Sequence, residues 1–486
     1  MARRLFVAAR SHQGQALPLI LVFLIVLCVG ALITFNTGQV VNKKVELTNT
    51  ADAAAYSVAV EQARAWNLAA YLNRGRVANE VAIAQAVSLN SWLTQINVSA
   101  HNFKQVARVL SAIPVIGPAF AAVAQAFEAA DQALRGIRTG VRTGSQGLIG
   151  GLDTANAAYA TAAYGVVEAL STASSVQTAR DVVAENSPRA DMRAIATTAL
   201  TAQLLSARTT YLDAFDVPSS SGRGARRTSV GGERYRNVVM ESRDVFTRNR
   251  KDDWRVLDAN GGTDLVEYDR WAAVDVNEID FSYGLDAFKI PVGWGGAQAL
   301  GNTSQPRFYP GIRTRGRNGW YSDYSRRRFR PYNGVSRYGI AGRKVEADPG
   351  GRLVGDSKRD AYFSTYRNGI AHRYHDVQRG RAETPEDGPV FTVEVQTGMG
   401  DARTTTALGV GSGRMAMREQ PRGNHMRAVA SAQVYFNRPH QYAAFRRIVW
   451  GRRDNRFEAG SLFSPYWQAR LVDTPPALQT SFAAAP

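Results

Sequence analysis

From Gln15 to Asn42 no charged residue interrupts the chain, and within it the run Ala16–Ile33 (ALPLILVFLIVLCVGALI) is almost wholly apolar. Those eighteen residues, wound as a helix, rise about 27 Å, close to the hydrocarbon thickness of a bilayer. The pattern predicts one transmembrane helix. It is longer than the apolar region of a secretory signal, and no Ala-x-Ala site follows at Thr34–Gly38, so an uncleaved signal-anchor is expected.

Polar positions then return in a regular order. Positions 47, 51, 54, 58, 61, 65, 68 and 72 alternate steps of four and three, and the same register runs on to Leu110. Sixteen of its nineteen positions are apolar, with Glu61, Gly75 and Asn79 the exceptions. A 3.5-residue repeat held this long predicts a coiled-coil seam. No proline falls between Pro18 and Pro114, so one helix can continue from the membrane through Leu110, with residues 47–110 reaching about 95 Å. Many seam residues are Ala and bury little, so further helices or backing by another domain are expected. The candidate protein-contact residues on this seam are Leu68, Leu72, Asn79, Leu89, Leu93, Ile96 and Phe103. The polar interruption 72–79 reads either as a docking point or hinge, or as a polar layer that sets register.

Pro114, Gly117 and Pro118 mark a turn, after which an Ala-rich helical pattern folds back along the first helix. Glycines at 136, 140, 144, 147, 150 and 151 predict a flexible break there rather than a close-packing glycine face, because glycine is a poor helix former in water. A second helical stretch, 153–213, is interrupted near Ser187-Pro188, and the Pro/Ser/Gly run from Val217 to Gly224 marks a linker. Beyond it, Phe391–Gln396 and Ala428–Phe436 alternate as strands do. Residues 295–350 resist any strand assignment.

The predicted class is α+β and membrane-anchored: one transmembrane helix, a long helical hairpin or coiled-coil stalk, then a β-rich domain. The segments are a basic N-terminus 1–15, the membrane segment and its exit 16–42, the stalk 43–215, a linker 216–230 and a basic β-containing region 231–486.

Charge changes this picture in two ways. Arg3, Arg4 and Arg10 precede the apolar run while Lys43 and Lys44 follow it, which favours a cytoplasmic N-terminus with the bulk outside. The chain also carries a formal charge of +18, of which residues 1–212 contribute +6, so the excess lies mostly in the second half. Such a surface suits anionic partners. With the bulk outside the cytoplasm, protein surfaces or anionic polysaccharide are expected rather than nucleic acid. The lone Cys28 sits in the apolar run, so no intrachain disulfide forms.

Catalytic signals are weak. His372-x-x-His375-Asp376 lacks a third metal-ligand pattern, Gly409–Gly413 lacks a dinucleotide-loop setting, and Asp252-Asp253 would point to opposite faces of a strand. No cofactor or metal is expected, and the chain does not read as an enzyme. The stretch Arg313–Tyr332 interleaves Arg with aromatics, and Arg313, Arg315, Trp320, Arg326, Arg327 and Arg328 are its candidate partner or anion contacts.

Gly14-Gln15-Ala16-Leu17 opening the apolar run, and Thr48-Asn49-Thr50-Ala51-Asp52-Ala53-Ala54-Ala55-Tyr56 after it, resemble the TadG-like proteins of Tad/Flp-type pilus assembly systems. The runs Tyr71–Arg74 and Val77–Val81, and Ser464–Leu471 near the end, are similar to the longer Gram-negative members. The resemblance implies a single-pass inner-membrane protein that helps build, anchor or tip a pilus, in an oligomeric assembly with other pilus or secretion proteins and without catalysis. Two features depart from the pattern. Prepilin processing after Gly14 would call for Glu where Leu19 stands, and no Asp-x-Ser-x-Ser metal site of a von Willebrand A domain occurs.

Overall fold

The computed structural model of the chain describes residues 16–169, 173–215, 230–248, 250, 252–254, 257–267, 270–283, 286–300, 313–314, 343–344, 361–370, 372–384, 386–402, 425–438 and 459–484. The basic N-terminus 1–15, linker residues 216–229 and the Gly409–Gly413 run lie outside them.

Helix α1 spans Ala16–Leu110 without a break, 95 residues and about 140 Å of rise. Alanine-rich composition and the absence of proline after Pro18 let it run so far. A turn at 111–116, with Val115 at φ 78°, reverses the chain into α2 (Gly117–Ala169). The sequence then continues through α3 (Ala173–Asn186), α4 (Ala194–Ser206) and a π-helical turn, Ala207–Tyr211.

The return limb keeps an antiparallel register against α1 throughout. Arg108 meets Glu128 at 2.6 Å, Lys104 meets Asp131 at 2.7 Å, Asn90 bonds Ser145 at 2.7 Å and Asn79 bonds Asn156 at 2.9 Å. On α3, Ser175 accepts from Gln62 at 2.9 Å, and Ser187 beyond it donates to Glu46 at 2.7 Å. The expected break at 136–151 is absent, since α2 runs continuously through all six glycines. Packing along α1 supplies stability that glycine's intrinsic propensity withholds. The stripe itself makes no close contact: a Cβ at 136, 140, 144, 147 or 151 would meet nothing within 4 Å.

Two sheets close on the same helix. Strands β2 (Asp252–Trp254), β3 (Leu257–Glu267), β4 (Arg270–Tyr283), β5 (Asp286–Leu300) and β8 (Ala361–Phe363) form one sheet in that order, antiparallel except for the β5–β8 pair. The other is β10 (Val390–Gly398), β11 (His425–Phe436) and β12 (Trp467–Val472), all antiparallel. The two strands read from alternation lie inside β10 and β11. Short pairs join β1 (Leu212–Phe215) to β9 (Tyr374–Val377), and β6 (Arg313–Thr314) to β7 (Arg343–Lys344). Helices α5 (Val230–Glu241), α6 (Val245–Arg248) and α7 (Pro476–Ala484), with a 3-10 turn at Met399–Ala402, complete the described elements.

Each sheet shares a core with a different stretch of α1. Residues 40–69 pack with α3, α4 and the three-stranded sheet, whereas residues 77–87 pack with α5 and the five-stranded sheet. The backing expected for an alanine-rich seam is thus supplied within the chain.

The distal sheet approaches α1 very closely. Ser91 donates to the Gly295 carbonyl at 3.1 Å, Asn102 to that of Val292 at 2.8 Å, and Asn277 to the Ser99 hydroxyl at 3.0 Å. A Cβ on Gly295 would lie 2.6 Å from the Gln95 amide nitrogen and closer still to the Ser91 carbonyl. Backbone of a helix cannot yield as a side chain can. Gly295→Ala is therefore expected to cost about 3 kcal/mol of stability, read from the shift in its denaturation midpoint. A midpoint equal to wild type would show that β5 can move away from α1.

Candidate interaction surface on the spine helix

The N-terminal end of α1 is apolar all round and has no cover. Its most apolar eighteen-residue window has a mean hydropathy of 3.1, and none of it is buried. From Leu17 to Leu27 the large apolar side chains are all exposed. At the exit, Thr34 and Thr37 return their hydroxyls to the carbonyls of Gly30 and Ile33 at 2.9 Å, so these polar residues are satisfied without water. A helix hydrophobic on every face and bare of protein fits a bilayer. The chain therefore has one N-terminal helix able to span a membrane.

Beyond it, exposure narrows to a ridge along the side of α1 left open by the helices and sheets. Val41, Val45, Tyr56, Leu68, Tyr71, Leu89 and Trp92 carry its apolar surface. Positions 68, 71, 89 and 92 fall on one 3–4 register, with Arg64, Arg74 and Gln85 as exposed polar members of the same face. At its distal end Trp92 meets Phe246 edge-on at 6.3 Å, and Val245 beside it is 80% exposed.

The seven seam residues divide between this ridge and the interior. Leu68 and Leu89 remain 47% and 36% exposed. Leu93 is buried, and Leu72, Ile96, Asn79 and Phe103 are half-buried. Leu72 packs on the proximal core, Asn79 donates to Asn156, and Phe103 stacks on Phe127 of α2 with centroids 5.6 Å apart. Only Leu68 and Leu89 offer a partner substantial surface.

What holds the ridge in place is a set of buried polar groups that periodicity did not single out. Glu80 is 1% exposed, and it accepts from Trp271 Nε1 at 2.9 Å, Tyr366 Oη at 2.7 Å and Asn156 Nδ2 at 2.9 Å. Burial raises its carboxyl to about 7, against the pull of the Trp271 and Tyr366 hydrogen bonds. One carboxyl thus ties α1 to α2, to β4 and to the segment after β8. One turn earlier, buried Arg76 lies 4.7 Å over the Tyr235 ring and donates to Asn73 at 3.3 Å. Asp153 accepts the backbone amides of Arg367, Asn368 and Gly369 at 3.1–3.2 Å. Near the hairpin turn, burial would raise Asp131, but hydrogen bonds from Arg135, Lys104 and His101 outweigh it and hold the carboxyl well below its usual range. Glu80 stood within the run Val77–Val81 already likened to the family, but nothing in that run pointed to Trp271 or Tyr366 as its partners.

The stretch of the spine at 66–73 is clasped by residues 462–467. Asn67 and the backbone of Trp467 exchange two hydrogen bonds of 2.9 Å, Asn73 donates to the Leu462 carbonyl at 2.8 Å, and Trp467 meets Trp66 edge-on at 4.8 Å. These contacts tie Trp66, Asn67 and Asn73 of α1 to Leu462 and Trp467.

The remaining candidates sit elsewhere. His375 stacks on Tyr164 at 4.4 Å and lies 3.1 Å from Glu168, and burial keeps it below the usual histidine range although Glu168 pulls the other way. Burial, helped by Arg76, lowers His372 to about 4. Asp376 accepts the amides of Val377 and Leu462 and pairs with Arg234 at 2.8 Å. Among the described residues no group of three or more His, Cys, Asp or Glu side chains is placed to hold a metal ion. Of the Arg/aromatic stretch, the backbone of Arg313 pairs with Lys344 in β6–β7, while Arg315, Trp320, Arg326, Arg327 and Arg328 lie outside the described residues.

Residues 14–64 match the Tad family, described as Flp pilus-assembly TadE/G-like. That span covers the bare apolar segment and the first buried turns of α1, about a tenth of the chain. No curated protein and no solved structure matches the chain.

Proposed function

We propose that the chain is a non-enzymatic, membrane-anchored scaffold or minor component of a Tad/Flp-like pilus assembly machine. In this reading the N-terminus faces the bacterial cytoplasm, Ala16–Ile33 crosses the inner membrane, and the folded bulk stands outside. The observation that carries it is the continuity of α1. One rigid helix joins a bare apolar segment to an exposed ridge, and the family match lies across that junction. A spine of this kind positions a contact surface at fixed heights above the bilayer. Other membrane-anchored pilus or secretion proteins, or further copies of the chain, would pack along Leu68, Tyr71, Leu89 and Trp92. The basic stretch 313–328 would supply a second contact.

The test is in-cell photo-crosslinking from positions 68 and 89, with buried position 55 as a control. Capture of pilin-like or secretion-platform proteins from 68 and 89 but not from 55 is the expected outcome. Leu89→Asp should weaken that capture by about tenfold or more while leaving the fold intact, because Leu89 lies outside both cores. Capture of no such protein from either position would refute the scaffold reading. Leu93→Asp is not a usable variant, since that side chain is buried.

The net charge of +18 favours a second reading, a membrane-anchored receptor for an anionic polymer such as surface polysaccharide or DNA. It predicts salt-sensitive retention of the chain on such polymers. Because both sheets close their cores against α1, this test requires the full chain rather than its C-terminal half.

A further inference from the structure

We propose that the far end of the α1–α2 hairpin inserts into the near leaflet of a second bilayer, so that the chain bridges two membranes. The inference rests on Ala16–Ile33 spanning the first membrane but not on the pilus reading. From Val109 to Phe127 the chain carries no charge, and its only polar side chains are Ser111 and Gln125. This stretch holds the turn 111–116 and the start of α2, and apolar side chains face outward on both limbs. Val109 is 69% exposed and Val115 96%, and Ile113, Ile116 and Val123 are exposed as well. Val115 is also a β-branched residue held at φ 78°, in the left-handed region that such residues rarely adopt. Strained positions of this kind concentrate where a chain makes functional contacts.

The reversal closes much of its own backbone. The amides of Ser111, Ala112, Ile113, Gly117 and Phe120 bond to carbonyls of the turn and of the last turn of α1 at 2.9–3.3 Å. Pro114 and Pro118 have no N–H to satisfy. Ser111 donates its hydroxyl to the Arg108 carbonyl at 2.7 Å. Open amides are what keep an ordinary turn out of lipid, and these are already bonded.

Charge begins only at the base of this apolar cap. Arg108 pairs with Glu128 at 2.6 Å, and Lys104 with Asp131 at 2.7 Å. Glu128 stands about 16 Å along α2 from Gly117, close to half the hydrocarbon thickness of a bilayer, which is one leaflet. Around and below these pairs, α1 from residue 97 and α2 as far as residue 143 carry Lys104, Arg108, Arg135, Arg138 and Arg142 against Glu128 and Asp131. An apolar cap one leaflet deep on a basic collar suits an anionic lipid surface. A protein partner would need a socket enclosing the turn from every side, whereas a bilayer offers one to any convex apolar end. The first membrane is out of reach, because residues 34–110 of α1 rise about 115 Å.

The experiment embeds the full chain in lipid nanodiscs and attaches the environment-sensitive dye NBD to Val115→Cys in a Cys28→Ala background. Exposed Thr143→Cys, about 40 Å down α2, is the comparison. Vesicles of phosphatidylcholine and phosphatidylglycerol with brominated acyl chains are then added, so that only lipid of the second membrane can quench. Emission from position 115 is expected to shift to the blue and to be quenched, and that from position 143 to do neither. Val109→Asp combined with Ile113→Asp should hold the melting temperature, since both side chains are exposed. The pair should raise the vesicle concentration for half-quenching by about tenfold or more. The proposal is overturned if vesicles do not quench position 115, or if the double variant binds them as well as wild type. It is overturned equally if the blue shift appears without vesicles and grows with nanodisc concentration, as a second copy covering the tip would produce.

Discussion

Glu80→Ala is expected to lower the unfolding free energy by about 4 kcal/mol, with a matching fall in the denaturation midpoint. The substitution removes the shared acceptor of Trp271 Nε1, Tyr366 Oη and Asn156 Nδ2, and it leaves three donors facing a void. Water cannot replace the carboxyl readily, because Trp271 and Tyr366 are themselves fully buried. The same residue gives stability a particular pH dependence. Its carboxyl titrates at about 7 in the folded chain against an ordinary value of 4.5, so the folded state holds the proton more tightly than the unfolded state. The stability this contributes is present in full below pH 4.5, declines as pH rises toward 7, and is gone above it. The total change is about 3 kcal/mol. Buried Asp153, Asp275 and Asp376 are also raised, first by burial, and tilt the profile in the same sense. Glu80→Gln cannot titrate, so wild type minus Glu80→Gln isolates this carboxyl. Parallel stability curves between pH 4.5 and 8 would mean that the Glu80 site is wetter than its contacts indicate.

Deleting residues 16–35 is expected to move the chain from the membrane pellet to the soluble fraction after an alkaline wash, and to leave the melting temperature of the remainder unchanged. The first effect follows from transferring about eighteen apolar residues out of lipid, where each central Leu, Ile, Phe or Val contributes roughly 0.3–0.6 kcal/mol on an insertion scale. The second follows from the bareness of the segment, because neither core includes a residue before Val40. Retention of the shortened chain in the pellet would locate the membrane attachment elsewhere. A large drop in melting temperature would show that the apolar segment packs on the fold after all.

Two runs outside the matched span 14–64, Val77–Val81 and Ser464–Leu471, have a physical role in the fold. Within Val77–Val81, Glu80 is the acceptor that joins two helices, a strand and a loop. Within Ser464–Leu471, Trp467 bonds to Asn67 and packs on Trp66. Both are contacts between the spine and chain some two to four hundred positions away. Glu80 and Trp467 thus fasten later parts of the chain to the first helix.

The sequence by itself determined an apolar segment long enough to span a membrane, the unbroken helix Ala16–Leu110, the reversal at Pro114–Pro118 and the positions of β10 and β11. Each depends on neighbouring residues: apolar length, the absence of proline, turn-forming residues, strict alternation. Only the tertiary structure decided which faces of the long helix are covered. The 3.5-residue register marked Leu93 and Leu89 alike, yet one is buried and the other lies on the open ridge. Six glycines read locally as a break, and packing against α1 made them helix. Gly295 gave no sign that it lies against Ser91, nor did Glu80 that Trp271 and Tyr366 would reach it. Burial and hydrogen-bond satisfaction belong to pairs of residues far apart in the chain, and a periodicity confined to one segment records that a face is apolar without recording what will cover it.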